Sequence, residues 1–91
     1  MDFTNKVCVV TGAGGGIGRA IVKEFYDSGA LVALVDVKGL EAAVRDLDLE
    51  ESRILCLTDT ITEEDRVEHI IASVVERFGR IDVLVNTAGI C

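Results

Sequence analysis

The sequence contains no proline and no tryptophan, and it has only one tyrosine and one methionine. No repeat, low-complexity stretch or shift in composition marks a linker, so residues 1–91 are interpreted as a single domain. Hydrophobic residues make up 49% of the chain and charged residues 27%, which is typical of a packed globular protein. Disordered and collagen-like structures are therefore excluded.

An excess of basic residues is also lacking, because the formal net charge is −7. This sign is wrong for tracking a phosphate backbone, so nucleic acid is not expected as a partner. The three cysteines, Cys8, Cys56 and Cys91, lack the spacing of a zinc site or a disulfide framework. No apolar run reaches the roughly 18–20 residues of a membrane span, and no leader-like segment opens the chain. A cytoplasmic protein without a membrane partner is expected.

What the sequence does contain is a regular alternation of apolar runs and helical patterns. The predicted strands are Lys6–Val10, Leu31–Val35, Arg53–Leu57 and Ile81–Val85. Because these runs do not alternate with polar residues, they are typical of parallel strands that are buried on both faces. The order βαβαβαβ predicts an α/β fold, a Rossmann-type doubly wound parallel sheet with strand order 3-2-1-4, truncated after the fourth strand.

Three amphipathic helices are predicted between the strands. The first should bury Ile17, Ile21 and Phe25, with Ala20 beside them, and the third should begin at a capping box, Thr62–Asp65. Cys8 and Cys56 are expected in the core. The predicted apolar faces of the other two helices are Leu40, Ala43, Val44 and Leu47, and then Val67, Ile70, Ile71, Val74, Val75 and Phe78.

The turn after the first strand is rich in glycine, with five among residues 12–18. Free backbone N–H groups at a helix N-terminus stabilise a phosphate, and a Cβ at a close approach would hold it away. The segment is therefore predicted to bind the phosphates of a nucleotide through Gly12, Gly14, Gly15, Gly16, Ile17 and Gly18. It is not a P-loop, since Arg19 follows Gly18 and no Lys-Ser/Thr pair is present.

Asp36 ends the second strand, where a Rossmann fold places an acid that accepts hydrogen bonds from the adenosine ribose. A carboxylate at this position repels a 2′-phosphate, so NAD is favoured over NADP. Lys38, two residues further on, either softens this preference or is a solvated lysine at the start of a helix.

Together, Thr11-Gly-x-x-x-Gly-x-Gly18, Asp36, Asp59 and Asn86-Thr87-Ala88-Gly89 resemble the amino-terminal half of the short-chain dehydrogenase/reductase family. The resemblance implies that Asp59 approaches the adenine amino group, and that Asn86, Ala88 and Gly89 lie along the cofactor. Thr87 departs from the second asparagine of the family motif, so a role that needs this amide does not carry over.

The catalytic residues of that family are absent from these 91 residues. The resemblance implies a serine and a Tyr-x-x-x-Lys pair, but the only tyrosine is Tyr26 and Ala30 stands four positions later. Tyr26 is therefore assigned to helix packing. His69 falls on the polar side of the third helix and receives no role, and the acidic run Asp46–Glu51 is interpreted as a solvated loop rather than a metal site.

Three functional hypotheses follow. The leading one is the NAD-binding portion of an oxidoreductase that acts on a small alcohol or carbonyl substrate in a longer form. The alternative is a non-catalytic, truncated nucleotide-binding module or a gene relic. A methyltransferase is disfavoured, because Val10-Thr11 stands where such enzymes carry an acid. Self-association is also expected, since the fourth strand forms an edge that exposes Ile81, Val83, Leu84 and Val85.

Overall fold

A computed structural model describes residues 2–58 and 64–87, with the side chains of residues 64–66 excepted. The strands are β1 (Val7–Thr11), β2 (Leu31–Asp36), β3 (Ile54–Thr58) and β4 (Val83–Asn86), and the helices are α1 (Gly16–Asp27), α2 (Leu40–Leu47) and α3 (Glu64–Phe78). A short 3-10 turn, Glu51–Arg53, precedes β3. The predicted alternation of strands and helices is confirmed.

The four strands form one parallel sheet in the order β3-β2-β1-β4. This is the predicted order, and the fold is α/β and Rossmann-like. Its register brings Thr11 beside Asn86 and Asp36 beside Thr58. The carboxyl ends of all four strands therefore meet at one edge of the sheet, where doubly wound folds bind their ligands.

Apolar side chains fill both faces of the sheet, as expected for parallel strands. The cluster under α1 and α2 comprises Cys8, Val10, Ala13, Val22, Tyr26, Ala30, Val32, Leu34, Leu40, Ala43, Leu49 and Ile54. The cluster under α3 is smaller and comprises Val7, Val9, Ala33, Val35, Ile70 and Val74. Two helices thus cover one face, whereas a single helix covers part of the other.

The predicted buried face of α1 is partly wrong. Ile17 is 59% exposed, and the fully packed positions are Gly18, Val22 and Tyr26, while Ile21 and Phe25 are partly buried at the margin. The helix is rotated about its axis relative to the prediction, because Gly18 packs directly against the backbone of the preceding loop.

The expected burial of Cys56 is also wrong, because its side chain is exposed, whereas Cys8 is buried as predicted. Cys56 lies on β3, the edge strand of the described sheet. Burial, followed by the negative charge of Asp82, raises the pKa of Cys8 to about 11. The Cys8 thiol therefore stays protonated at neutral pH.

Two contacts fix the ends of the elements. The Asp82 carboxylate accepts a hydrogen bond from the Val7 N–H at 2.8 Å, which joins the start of β4 to β1. The Arg53 guanidinium donates to the carbonyls of Tyr26 and Ala30 at the end of α1 and stacks 3.8 Å from the centre of the Tyr26 ring. Tyr26 thus has a packing role, as predicted.

Candidate functional site

The glycine loop turns the chain from β1 into α1 within a few residues. Gly12 adopts φ +72°, a left-handed conformation that glycine tolerates best. The N–H of Ala13 donates to Val35 O at 3.1 Å, and the N–H of Gly15 donates to Gly12 O at 3.2 Å. The loop is therefore anchored to the end of β2 and closed on itself.

The amino end of α1 is left uncapped by this arrangement. Gly15 is the N-cap residue and offers no side chain, and the first turn contains no acidic residue. The amides of Gly16, Ile17 and Gly18 have no acceptor within the helix, as in the first turn of any α-helix. Their donors and the positive end of the helix dipole form an exposed site that favours an anion.

The fold itself requires two of the loop glycines. A Cβ at Gly18 would lie 2.0 Å from Gly12 O and 2.8 Å from Ala13 Cα, both backbone atoms. A Cβ at Gly14 would lie 2.3 Å from Lys38 O. Internal packing of the loop against α1 and against the β2–α2 connection therefore explains both glycines without a ligand.

Packing explains neither Gly15 nor Gly16. A Cβ at Gly16 would meet no atom within 4 Å outside its own helix, and a Cβ at Gly15 would meet only Gly12 O, at an ordinary 3.7 Å. Neither residue has a positive φ. Glycine inside a helix costs about 1 kcal/mol relative to alanine, whereas glycine is a common N-cap residue and is accepted at position 15. Gly16, the first residue of α1, is therefore the glycine that the fold does not explain, and the space beside it is open.

Asp36 lies beside this loop at the end of β2. Its Oδ2 accepts the Gly14 N–H at 2.8 Å and its Oδ1 accepts the Val37 N–H at 2.7 Å. Each oxygen of a carboxylate can accept two hydrogen bonds. One acceptor position per oxygen therefore remains for a ligand, at a carboxylate whose orientation is fixed from both sides. Lys38 is exposed and makes no ion pair with Asp36.

Asn86 reaches the same edge of the sheet through Thr11. The Thr11 hydroxyl donates to Asn86 Oδ1 at 2.8 Å, and the Thr87 hydroxyl donates to Thr11 O at 2.6 Å. The Thr87 N–H also donates to Thr11 O. The hydrogen bond from the Thr87 hydroxyl therefore adds to this backbone bond and does not replace it. Sequence reasoning missed this role of Thr87, although a hydroxyl in a buried segment beside a strand end signals a need for a backbone acceptor.

The remaining predicted site residues, Asp59, Ala88 and Gly89, lie outside the described residues. So does Thr62, the first residue of the predicted capping box. Within the described residues, 2–58 and 64–87, no group of three His, Cys, Asp or Glu side chains is placed to hold a metal ion. Over the same part of the chain, no helix is both long and apolar enough to cross a membrane.

Arg19 is a further residue that sequence reasoning did not assign to the site. Its Nε donates to Gly14 O at 3.1 Å, and one of its terminal nitrogens lies 2.9 Å from Asp46 Oδ2 on α2. The guanidinium thus joins the glycine loop to α2. The sequence signal was the position of Arg19 immediately after the last loop glycine, where a side chain turns back over the loop.

The site has the donors and acceptors that a dinucleotide requires. Unpaired amides at the end of α1 match a pyrophosphate, and the fixed Asp36 carboxylate matches two vicinal ribose hydroxyls. The open space at Gly15 and Gly16 allows close approach of the phosphates. The residues present therefore fit the pyrophosphate and the adenosine ribose of a dinucleotide.

Known dehydrogenases are similar to this chain in sequence and in fold. The chain is 38% identical over 91 residues to the NAD-dependent glycerol dehydrogenase of Listeria innocua, an alignment that covers 98% of this chain and 35% of the relative. A crystal structure of a glucose/ribitol dehydrogenase from Brucella melitensis, itself described as a short-chain dehydrogenase/reductase, superposes with a TM-score of 0.91 at 42% identity. The superposition covers 100% of this chain and 38% of the glucose/ribitol dehydrogenase chain.

A third match is the N-domain of a bacterial malonyl-CoA reductase solved with NADP, with a TM-score of 0.84 and 33% identity over 96% of this chain and 17% of that one. The similar proteins therefore include both an NAD-dependent and an NADP-bound example. The chain spans little more than a third of the length of the glycerol and glucose/ribitol dehydrogenases. The family model for short chain dehydrogenase matches residues 6–91. With this match over almost the whole chain, the protein belongs to the short-chain dehydrogenase/reductase family.

Proposed function

We propose that this chain is the NAD-binding portion of an oxidoreductase that acts on an alcohol or carbonyl group, and that residues 1–91 form part of a dinucleotide-binding Rossmann domain. The observation that carries the proposal is Gly16, a helical glycine with open space in the direction of its missing Cβ. The fold gains no contact from this glycine. An anion that binds the first amides of α1 would need the space that a side chain at position 16 would occupy.

The proposal assigns two groups of residues to the cofactor. The amides at the amino end of α1 bind the pyrophosphate, and Asp36 accepts hydrogen bonds from the adenosine ribose. By family resemblance, Asp59 approaches the adenine, while Asn86, Ala88 and Gly89 line the path of the cofactor. When bound, the nicotinamide supplies the hydride chemistry, and the protein supplies position and electrostatics.

NAD is proposed over NADP because of the geometry of Asp36. Its carboxylate is fixed by two amides, and no cationic side chain among those that the structure describes forms an ion pair with it. A 2′-phosphate at the same ribose would place negative charge against this carboxylate. A cytoplasmic location, a small alcohol or carbonyl substrate and the absence of nucleic acid and membrane partners remain predictions.

Catalysis by the family mechanism needs residues outside positions 1–91. Tyr26 is nearly buried in the core, and its hydroxyl accepts the Glu50 N–H at 3.0 Å. Tyr26 is the only tyrosine of the sequence. The alternative candidate is a non-catalytic nucleotide-binding module formed by these residues. Both candidates bind NAD, and only the first transfers hydride once the serine and Tyr-x-x-x-Lys are supplied.

A substitution at Gly16 tests the shared binding step. Gly16→Ala should preserve folding and raise the free energy of unfolding by up to about 1 kcal/mol, because it improves helix propensity. Its Cβ should occupy the space of the phosphate and raise the Kd for NAD about tenfold or more, equivalent to ~1.4 kcal/mol or more. Isothermal titration calorimetry and thermal unfolding of the same samples measure the two effects. Unchanged NAD affinity in the folded Gly16→Ala variant contradicts the proposal.

Asp36→Ala provides the second test. The substitution should weaken NAD binding and reduce the preference for NAD over NADP, because it removes both the ribose acceptor and the negative charge. Unchanged affinity for the two dinucleotides contradicts the assignment of Asp36. Titration with S-adenosylmethionine is the control for the methyltransferase hypothesis, and this ligand should not bind.

A further inference from the structure

We propose that Arg19 is a positioning residue for the Asp36 carboxylate and thereby sets how strongly the site distinguishes a ribose hydroxyl from a ribose phosphate. The inference rests on the proposed function, since it concerns the same cofactor site. Arg19 itself faces the protein side of the loop, where it contacts Gly14 and Asp46.

The first step of the argument is the unequal origin of the two bonds on Asp36. The Val37 N–H belongs to the adjacent residue, so its bond to Oδ1 moves with β2. The Gly14 N–H comes from a different element and fixes Oδ2 relative to the loop. The Gly14 bond therefore determines how the carboxylate is oriented relative to the glycine loop.

The second step concerns the freedom of Gly14. Glycine populates a wider range of φ and ψ than any other residue, so its N–H keeps a fixed direction only if its neighbours hold it. Arg19 Nε donates a hydrogen bond to Gly14 O at 3.1 Å. On the opposite side, Gly14 lies against Lys38 O. The peptide groups on both sides of Gly14 are thus held, one by Asp36 and the other by Arg19.

The third step concerns the anchor of Arg19. One guanidinium nitrogen lies 2.9 Å from Asp46 Oδ2, and the Asp46 side chain is more than half exposed. An ion pair of this exposure contributes little to stability, typically about 0–1 kcal/mol. Its consequence is geometric, because a planar guanidinium that holds both Asp46 and Gly14 fixes the distance between α2 and the loop.

Together these contacts form a chain from Asp46 through Arg19 and Gly14 to Asp36. With the chain intact, the carboxylate cannot rotate away from a 2′-phosphate, so NADP meets the full repulsion. With Arg19 removed, the carboxylate can turn aside, which relieves the repulsion and weakens the two bonds to the ribose hydroxyls. Loss of Arg19 should therefore weaken NAD binding and reduce discrimination against NADP.

Arg19→Met is the test, and Lys23→Met is its matched control. Lys23 also joins α1 to α2, since its Nζ lies 3.5 Å from Leu47 O, but it does not contact the loop. Calorimetric titration with NAD and NADP gives the ratio of the two Kd values for each variant. Arg19→Met should lower the preference for NAD about tenfold, the usual scale for one hydrogen bond to a charged group. Lys23→Met should leave the ratio at the wild-type value.

A second measurement reports on the loop without any cofactor. The Gly14 amide should exchange its hydrogen faster in Arg19→Met than in the wild-type chain or in Lys23→Met, because its bond to Asp36 opens more often. Asp46→Asn keeps Arg19 and removes only its anchor, so it should change both readouts in the same direction by less. This variant serves as the test if Arg19→Met does not fold.

The outcomes separate the two proposals. A wild-type chain that binds NAD with a preference that Arg19→Met leaves unchanged overturns the role of Arg19 and leaves the proposed function standing. A wild-type chain that binds neither dinucleotide overturns the proposed function, and with it the role of Arg19 in selectivity. Unchanged Gly14 exchange in Arg19→Met overturns the positioning step itself.

Discussion

The two faces of the sheet differ in how completely they are covered. On the α1–α2 face, two helices bury one continuous cluster that includes Val22 and Leu34. On the α3 face, Ile70 and Val74 are buried, but Ile71 and Val75 on the same helix are each 44% exposed. A groove of about 320 Å³ between α3 and β4 continues this apolar surface.

The difference teaches where the candidate site obtains its rigidity. The contacts that shape the glycine loop and Asp36 join β1, α1, β2 and α2, which all belong to the well-covered part of the molecule. The exposed apolar surface lies on the other face and next to the edge strand β4. In the described structure, the candidate site is therefore packed more completely than the fourth strand, β4.

Glycine substitutions on the two faces should give the largest contrast. Gly18→Ala should destabilise the fold by more than about 3 kcal/mol, because the new methyl group overlaps the Gly12 backbone. Gly79→Ala, after α3, should cost only about 1–2 kcal/mol, since its Cβ would have space and only the φ of +86° is unfavourable. Urea unfolding of both variants measures the difference, and equal losses would contradict it.

Valine truncations should give the next contrast. Val22 in α1 is fully buried, and Val22→Ala should cost about 2 kcal/mol from lost burial and the cavity that remains. Val75→Ala in α3 should stay within about 0.5 kcal/mol, the range of surface substitutions. Thermal unfolding monitored by circular dichroism compares the two. A larger loss at Val75 would mean that the α3 face is covered in solution.

Self-association should depend on the exposed apolar residues of α3 and β4, which are Ile71, Val75 and Leu84. Leu84 is 62% exposed on the edge strand β4, and Leu84→Lys should lower the weight-average mass of the isolated chain in concentrated solution. Val37 is 59% exposed at a different part of the molecule, so Val37→Lys controls for the general effect of added charge. Sedimentation velocity over a concentration series provides the measurement. A wild-type chain that is monomeric at all concentrations would rule out the predicted self-association.

The smallest effect concerns Asp82, which joins the less covered edge to β1. The Val7 N–H, and after it Arg80, hold the pKa of Asp82 below its ordinary value. The stabilising contribution is therefore present above about pH 4, near the unfolded-state pKa, and is lost as the pH falls through the lower folded-state pKa. Asp82→Asn should therefore reduce the dependence of Tm on pH in the acid range, measured by thermal unfolding over a pH series.

The sequence predicted the architecture well, because strand and helix periods are local properties of the chain. The apolar runs that end at Val10 and Val35 became the central strands, and the order β3-β2-β1-β4 followed from the rules for parallel crossovers. The rotation of α1 was mispredicted, because the spacing of Ile17, Ile21 and Phe25 records a period but not the contact made by Gly18. The exposure of Cys56 accompanies the position of β3 at the edge of the sheet, which the residues of that strand do not encode.

The candidate site was predicted in part. The glycine loop and Asp36 could be located because each follows a recognisable strand, and the structure brings them within hydrogen-bonding distance. The sequence did not distinguish Gly14 and Gly18, which serve internal packing, from Gly15 and Gly16, which do not. The position of Arg19 after the last loop glycine places it near the loop, but the sequence does not specify its bond to Gly14, which depends on the three-dimensional path of the loop.

The charges at the two ends of α1 determine how the binding of an anion depends on ionic strength. Arg53 neutralises the carboxyl end of α1, whereas the amino end carries no acid and no cap, so the positive end of the helix acts at short range without a compensating charge. Residues 1–91 carry a formal net charge of −7, which repels an anionic dinucleotide at long range. Salt screens the long-range term over about 8 Å at physiological ionic strength and leaves the amide contacts intact. Added salt should therefore accelerate association with an anion, the opposite of the behaviour of a lysine-lined phosphate site.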